Sequence, residues 1–149
     1  MACADLAPFA AVGRRLARQA LARRIPCFGM FELTYRCNLE CVHCYLAGGR
    51  STPELPTAEV KRLIAEAAEA GCFSLLLTGG EPFVRADFRE IYLHAKKLGL
   101  LIFLFTNGSA IPADFLPVLR RYPPALIDIS LYGASEETYA RVTGRAVYG

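Results

Sequence analysis

Two apolar stretches, each closed by a glycine turn, decide the fold of this 149-residue chain. They read FSLLLTGGEP at residues 73–82 and LLIFLFTNG at residues 100–108. Short, continuously apolar runs that end in turn residues are typical of strands buried on both faces. Between them lies a stretch with helical spacing of apolar residues, which ends at Gly99. Because strands joined through a helix pair in parallel, the two stretches predict a parallel sheet.

The same strand–helix unit is repeated on both sides of this pair. Thr57 and Ser135 are predicted to cap their helices, and Asp87 with Glu90 is predicted to form a capping box. The pattern predicts an α/β domain of about four such units, with the fourth strand as an exposed apolar edge. Strands are predicted at residues 30–34, 73–78, 100–106 and 126–131, and helices at 57–70, 87–98, 113–121 and 135–142.

A basic segment, residues 1–26, precedes the first strand. Five arginines accompany one acidic residue, Asp5, and the apolar spacing predicts a helix over residues 8–24 that ends before Pro26. Three interpretations remain open for this helix. It is a solvated element leading into the domain, a segment that lies on a membrane surface or directs transit, or a basic docking arm.

Composition excludes several classes of protein. With 54% hydrophobic and 21% charged residues the chain is not disordered, and a net charge of +3 is too small to indicate nucleic-acid binding. No apolar run approaches the ~20 residues of a membrane span, and no apolar signal core opens the chain. We therefore expect a cytoplasmic protein whose clustered cysteines are metal ligands or catalysts rather than disulfides.

The unusual residues of the sequence follow the ends of the predicted strands. Because the carboxyl ends of parallel strands share one rim, where α/β proteins place their chemistry, we expect these residues to form one site. They are Cys37, Cys41 and Cys44 after the first strand, Gly79, Gly80 and Glu81 after the second, Thr106 and Asn107 after the third, and Ser130 at the end of the fourth.

Cys37, Cys41 and Cys44 lie within eight residues, at spacings of four and three. Three thiolates on a flexible loop suit a [4Fe–4S] cluster and leave one iron without a protein ligand. Zinc is an alternative with His43 as the fourth ligand, although adjacent ligands to one tetrahedral ion would be strained. A third alternative is that the three are structural thiols without a metal. The remaining cysteines are expected to be packed thiols: Cys3, Cys27 and Cys72.

The cysteine motif and its surroundings resemble the radical S-adenosylmethionine (radical SAM) superfamily. The resemblance rests on the C-x3-C-x2-C spacing, with an aromatic residue before the last cysteine, and on the flanking residues LTYRCNL (33–39) and HCY (43–45). GGEP (79–82) strengthens it. The stretch ISLYGASEETYARVTG (129–144) resembles the subgroup whose members carry a C-terminal SPASM or twitch domain. The resemblance covers the chain from about residue 28 to its end.

This resemblance implies a role for each residue of the rim. The three cysteines would hold a [4Fe–4S] cluster, whose open iron binds the amino and carboxylate groups of S-adenosylmethionine. Glycine suits the second turn because backbone has to approach the ligand closely. The expected cofactor-binding residues are His43 near the adenine, Gly79, Gly80 and Glu81 at the methionine amino group, Thr106 and Asn107 along the pocket, and Ser130 at the ribose.

The resemblance also implies the architecture and the domain limits. The family core is a partial TIM-type barrel of six βα units, of which this chain supplies about four behind its N-terminal helix. We expect residues 1–26 to be a basic extension. Residues 27–149 are expected to be the core domain, truncated at its C-terminus. The chain is then the N-terminal part of a longer enzyme; the alternative is that a second copy or a separate partner completes the barrel.

The implied activity is that of an oxidoreductase or maturase. The reduced cluster cleaves S-adenosylmethionine, and the resulting 5′-deoxyadenosyl radical takes a hydrogen atom from a peptide or protein substrate. The cofactors carry this chemistry, which agrees with a sequence that shows no catalytic acid–base pair. The implied partners are S-adenosylmethionine, that substrate, and an electron donor of the flavodoxin or ferredoxin type. The alternatives are an enzyme of haem or quinone cofactor biosynthesis and an inactive truncated module that binds an iron–sulfur cluster or zinc.

Overall fold

The computed structural model describes residues 7–46 and 53–147, with side chains from residue 11 onward. Within these ranges the chain alternates strands and helices in the predicted order. The strands are β1 (Phe28–Glu32), β2 (Ser74–Thr78), β3 (Leu101–Thr106) and β4 (Leu126–Ile129). The α-helices are α1 (Ala7–Arg23), α2 (Thr57–Glu69), α3 (Phe88–Lys97), α4 (Leu116–Arg121) and α5 (Glu136–Thr143).

The four strands form one parallel sheet in the order β1-β2-β3-β4. This order confirms the predicted α/β fold, with β4 as an edge strand. β1 lies two residues earlier than predicted, because Thr34 has left the strand and its hydroxyl accepts from the amide of Arg36 in a turn. One row of paired residues crosses the whole sheet: Met30, Leu76, Phe103 and Leu126.

The hydrophobic core lies between one face of the sheet and the helices that follow β1, β2 and β3. Leu77 and Leu104 project from the sheet into this layer, where they are fully buried with Ile64 of α2 and Ile91 of α3. An aromatic cluster closes the far side of the core, with ring centroids of Phe83 and Phe88 4.7 Å apart. Burial of these apolar side chains holds the crossover helices against the sheet and so sets the rim above it.

The opposite face of the sheet is open in the described part of the chain. Continuously apolar strands predict cover on both faces, and this prediction is wrong for every strand except β2. Met30 is 59% exposed, and Leu101, Phe105 and Leu126 are also exposed. β3 has a neighbour on each side, as β2 does, yet of the described strands only β2 is buried along its whole length. An apolar strand pattern thus shows that the residues are suited to burial on both faces of the sheet. Whether a face is buried depends on which other elements pack against it.

Two of the three predicted caps are wrong. Thr57 is already inside α2, and its hydroxyl donates to the carboxylate of Asp87 at 2.6 Å. Asp87 stands at the start of α3, but its side chain accepts from no amide of that helix, so the capping box with Glu90 does not form. Ser135 does cap α5, because its hydroxyl accepts from the amide of Thr138 at 3.3 Å.

α1 contributes no described side chain to the core. Val12 and Leu16 of its apolar stripe are 58% and 61% exposed. The helix ends at Arg23, and the next residue, Arg24, has a φ of 54° where the chain turns toward β1. Across the residues that the structure describes, no helix combines the length and the apolar character needed to cross a membrane.

Candidate active site

A cavity of about 240 Å³ opens at the carboxyl ends of the strands. It is lined by the segment after β1, the glycine turn after β2, and the residues after β3 and β4. The structure therefore brings the predicted segments to one rim. The predicted site residues that line the cavity are Cys37, Cys41, His43, Cys44, Gly79, Gly80, Thr106, Asn107 and Ser130.

Gly79 and Gly80 bring the end of β2 against the segment that leads into the cysteine loop, residues 37–45. The amide of Gly80 donates to the carbonyl of Thr34 at 2.7 Å. A Cβ on Gly80 would lie 2.3 Å from the Arg36 carbonyl oxygen, and one on Gly79, whose φ is +146°, would lie 2.4 Å from that of Thr34. Both glycines are thus required by close approach to the chain's own backbone, a reason that the sequence did not reveal.

Glu81 is the one predicted site residue that does not line the cavity. It is fully buried behind the wall, where its carboxylate accepts from the Thr106 hydroxyl at 2.8 Å, the Asn107 amide at 2.7 Å and the Phe83 amide at 3.1 Å. Burial raises the pKa of Glu81, and these donors oppose the rise. In this structure Glu81 ties the turn after β2 to the end of β3, and so positions Thr106 and Asn107.

The sulfur of Cys37 receives two N–H donors. The amide of Leu39 lies 3.4 Å from Sγ, and Nδ2 of Asn107 lies 3.7 Å from it. Burial raises the pKa of the Cys37 thiol, whereas both N–H groups favour the thiolate and lower that pKa. Cys37 is therefore held in a defined hydrogen-bonding environment.

His43 and the rest of the cysteine loop are supported by the C-terminal part of the described chain. The ring of His43 packs against Tyr132, with centroids 5.2 Å apart. The amide of Val42 donates to the carbonyl of Val142 in α5 at 3.0 Å. α5 and the segment before it thus form a wall that fixes the far side of the cysteine loop.

Arg85 joins the two ends of the segment that contains the cysteine loop, and sequence reasoning missed it. Its side chain is 4% exposed and donates to the carbonyls of Leu33 at 2.7 Å and Leu55 at 3.1 Å. It also forms a bidentate pair with Asp87, at 2.8 and 2.6 Å. The only sequence signal is an arginine two residues before an aspartate. An exposed pair on the protein surface can have the same spacing, so the signal does not identify Arg85 as buried.

Glu54 is a second residue that the sequence did not single out. Its carboxylate accepts from Nε of Arg36 at 2.7 Å and also bonds the hydroxyl of Thr34. The Arg36 guanidinium holds the pKa of Glu54 below its ordinary value. Residues before and after the cysteine loop are thus linked by a charged pair as well as by Arg85.

The donor set fits an iron–sulfur cluster better than a zinc ion. Cys37, Cys41 and Cys44 form no disulfide within the described residues and lie on the wall of one cavity. Over the described ranges, no three His, Cys, Asp or Glu side chains form a group that could hold a single metal ion. A tetrahedral zinc site needs such a group, and His43 instead packs on Tyr132. A [4Fe–4S] cluster does not require the three thiolates to meet at one ion, because each thiolate binds a different iron.

Comparisons with known proteins identify relatives along most of the chain. The family model described as "Radical SAM superfamily" matches residues 31–148. The AdoMet-dependent heme synthase of Methanosarcina barkeri is 40% identical over 116 residues, which is 76% of this chain and 33% of that protein. The mycofactocin maturase MftC of Mycolicibacterium smegmatis is 36% identical over 79% of this chain and 30% of that protein.

A solved structure shares the fold. Streptococcus suis SuiB bound to its precursor peptide SuiA superposes with a TM-score of 0.72 at 20% identity, over 88% of this chain and 30% of SuiB. The chain thus spans about a third of the length of the relatives that it matches. The family match includes the cysteine loop. This chain belongs to the radical SAM superfamily.

Proposed function

We propose that Cys37, Cys41 and Cys44 hold a [4Fe–4S] cluster and that the adjoining cavity binds S-adenosylmethionine. The observation that carries the proposal is the convergence of three cysteine side chains and the Gly79–Gly80 turn on one cavity. When bound and reduced, the cluster supplies one electron that cleaves S-adenosylmethionine to methionine and a 5′-deoxyadenosyl radical, which takes a hydrogen atom from the substrate. An electron donor of the flavodoxin or ferredoxin type would supply that electron. The proposal needs a reducing compartment such as the cytoplasm, because the thiols have to remain free.

The chain's own residues would bind and orient the ligand. Gly79 and Gly80 expose backbone on the cavity wall, where the methionine part would lie. His43, held by Tyr132, would pack near the adenine, and Ser130 would contact the ribose. Thr106 and Asn107, held by Glu81, would line the space between them. Each assignment is supported by the position of the residue on the wall of this cavity.

We propose a peptide or protein as the substrate. MftC and the PqqA peptide cyclases are named for maturation or cyclisation, and SuiB is solved with a precursor peptide.

We also propose that residues 27–149 form the radical SAM core and residues 1–26 a separate basic extension. The start of the family match at residue 31 supports this division.

A second candidate function is haem-type cofactor synthesis. It is favoured by the 40% identity to a heme synthase and by a second relative named Fe-coproporphyrin III synthase, at 35% identity. The two candidates differ in the compound that stimulates formation of 5′-deoxyadenosine. A tetrapyrrole precursor of haem should stimulate it if the protein belongs to haem synthesis, and a peptide substrate should do so if the protein is a peptide maturase.

The test of the cluster assignment is anaerobic reconstitution with iron and sulfide, followed by electron paramagnetic resonance of the reduced protein. We expect a [4Fe–4S] signal that changes when S-adenosylmethionine is added. Replacement of Cys37, Cys41 or Cys44 by Ala should abolish the signal. The matched controls, Cys27→Ala and Cys72→Ala, should retain it, because neither residue lines the cavity. Zinc in place of iron, or a signal indifferent to S-adenosylmethionine, would contradict the proposal.

A further inference from the structure

Three polar side chains form a closed hydrogen-bonded ring beside Cys37. Nδ2 of Asn107 donates to Oδ1 of Asn38 at 2.9 Å, and Nδ2 of Asn38 donates to Oγ of Ser109 at 2.9 Å. Oγ of Ser109 donates back to Oδ1 of Asn107 at 2.7 Å. Each group in this ring both donates and accepts, so the ring is complete without any further partner.

The ring determines which way the Asn107 amide points. The backbone amide of Ser109 donates to Oδ1 of Asn107 at 2.9 Å. A backbone N–H can only donate, so the Asn107 atom that it meets has to be the oxygen. Nδ2 therefore lies on the other side of the amide, toward Asn38 and Cys37. Its two hydrogens match the two acceptors found there, Oδ1 of Asn38 and Sγ of Cys37.

The backbone of Asn107 is held as firmly as its side chain. Its amide donates to the buried carboxylate of Glu81 at 2.7 Å, and the hydroxyl of the preceding Thr106 binds the same carboxylate. The amide of Gly108 in turn donates to the Thr106 hydroxyl at 3.0 Å. The direction of the Asn107 amide toward Cys37 is thus set from both sides by groups of the chain itself.

We propose that Asn107 is a positioning residue that acts on the cluster through Cys37. Its N–H group donates to the thiolate sulfur and raises the reduction potential of the bound cluster. The reduced cluster carries one more negative charge than the oxidised one, so a donor to a ligand sulfur stabilises the reduced form more. This inference rests on the proposed function, and it adds a role for Asn107 that differs from contact with S-adenosylmethionine.

The test is a redox titration of the reconstituted chain without S-adenosylmethionine, followed by electron paramagnetic resonance. At the midpoint potential of the wild-type protein, we expect the ratio of reduced to oxidised cluster in Asn107→Ala to fall about tenfold. That ratio corresponds to a midpoint about 59 mV lower for a one-electron couple. Asn38→Ala should lower the midpoint by less, because it opens the ring but leaves the Asn107 donor in place.

The matched control is Tyr45→Phe, which removes a hydroxyl from another residue that lines the cavity and leaves the ring intact, since that hydroxyl donates to Glu32. Its midpoint should equal that of the wild-type protein. The inference is overturned if Asn107→Ala keeps the wild-type midpoint, or if Tyr45→Phe shifts it equally. A wild-type chain that assembles no cluster would instead refute the proposed function, and the inference with it.

A second measurement covers the case in which Asn107→Ala assembles no cluster. In the cluster-free wild-type protein, labelled with ¹⁵N at asparagine, we expect a nuclear Overhauser effect between the Asn107 side-chain amide protons and the Cys37 β-protons. An amide of Asn107 that shows no such contact and exchanges freely with water would overturn the inference without any reference to the cluster.

Discussion

Replacement of Arg85 by Met should destabilise the fold more than any other loss of a single charged pair described above. Met keeps most of the length of the buried stem but removes the guanidinium. Asp87 then loses its bidentate partner, and the carbonyls of Leu33 and Leu55 lose a donor. Breaking a buried pair by removing one partner costs about 3–5 kcal/mol. Because Asp87 is 24% exposed and can recruit water, we expect the lower end, about 3 kcal/mol.

The same pair predicts how this loss depends on pH. The Arg85 guanidinium and, to a smaller extent, the Thr57 hydroxyl lower the pKa of Asp87 from 3.8 to about 2. A lowered pKa in the folded state stabilises the protein above pH 3.8, and this contribution disappears as the pH falls toward 2. It amounts to at most about 2.4 kcal/mol. The difference in unfolding free energy between the wild type and Arg85→Met should therefore shrink steadily between about pH 4 and pH 2.

Urea denaturation of both proteins across this pH range measures the difference directly. The matched control is Arg62→Met, because Arg62 also pairs with two carboxylates, those of Glu59 and Glu66, but is exposed. It should show no resolvable change in stability or in its pH dependence. A difference for Arg85→Met that stays constant from pH 7 to pH 2 would refute the reasoning, since the pair with Asp87 would then contribute nothing.

Two further substitutions probe the wall of the cavity. Gly80→Ala should cost at least about 2 kcal/mol in thermal or urea unfolding, because its Cβ would meet the Arg36 carbonyl. Gly13→Ala, in open space on α1, should be neutral or slightly stabilising, and equal losses at the two positions would contradict this explanation. Thr106→Val should cost about 2 kcal/mol, because the buried Glu81 carboxylate loses a donor. Since this raises the pKa of Glu81 further, its cost in urea unfolding should be larger at pH 7 than at pH 4, and the opposite trend would exclude an ionised Glu81.

The elements of the fold follow from local sequence patterns. The apolar runs that end at Thr78 and Thr106 predict two central strands, and helical spacing predicts the helices between them. These patterns suffice because backbone hydrogen bonding and side-chain direction in a strand or helix repeat over a few residues. The rim is equally predictable, since parallel strands all end on the same side.

Local sequence patterns fail to predict the contacts of a side chain that can bond either within its own helix or to another element. Thr57 and Asp87 both have the sequence context of a cap, yet each binds the other across 30 residues of chain. Capping and such a tertiary bond use the same oxygen atoms, so only the packing of α2 against α3 decides between them.

The parallel α/β fold, the cysteine motif and the rim on which the candidate site lies all follow from patterns in the amino-acid sequence. The tertiary structure alone decided that Glu81 lies behind the cavity, that Arg85 joins the ends of the cysteine-bearing segment, and that Asn107 reaches Cys37 across 70 residues. The physical reason is that these contacts depend on the register and spacing of neighbouring strands. A pattern within one element carries no information on that geometry, which arises only when the elements pack together.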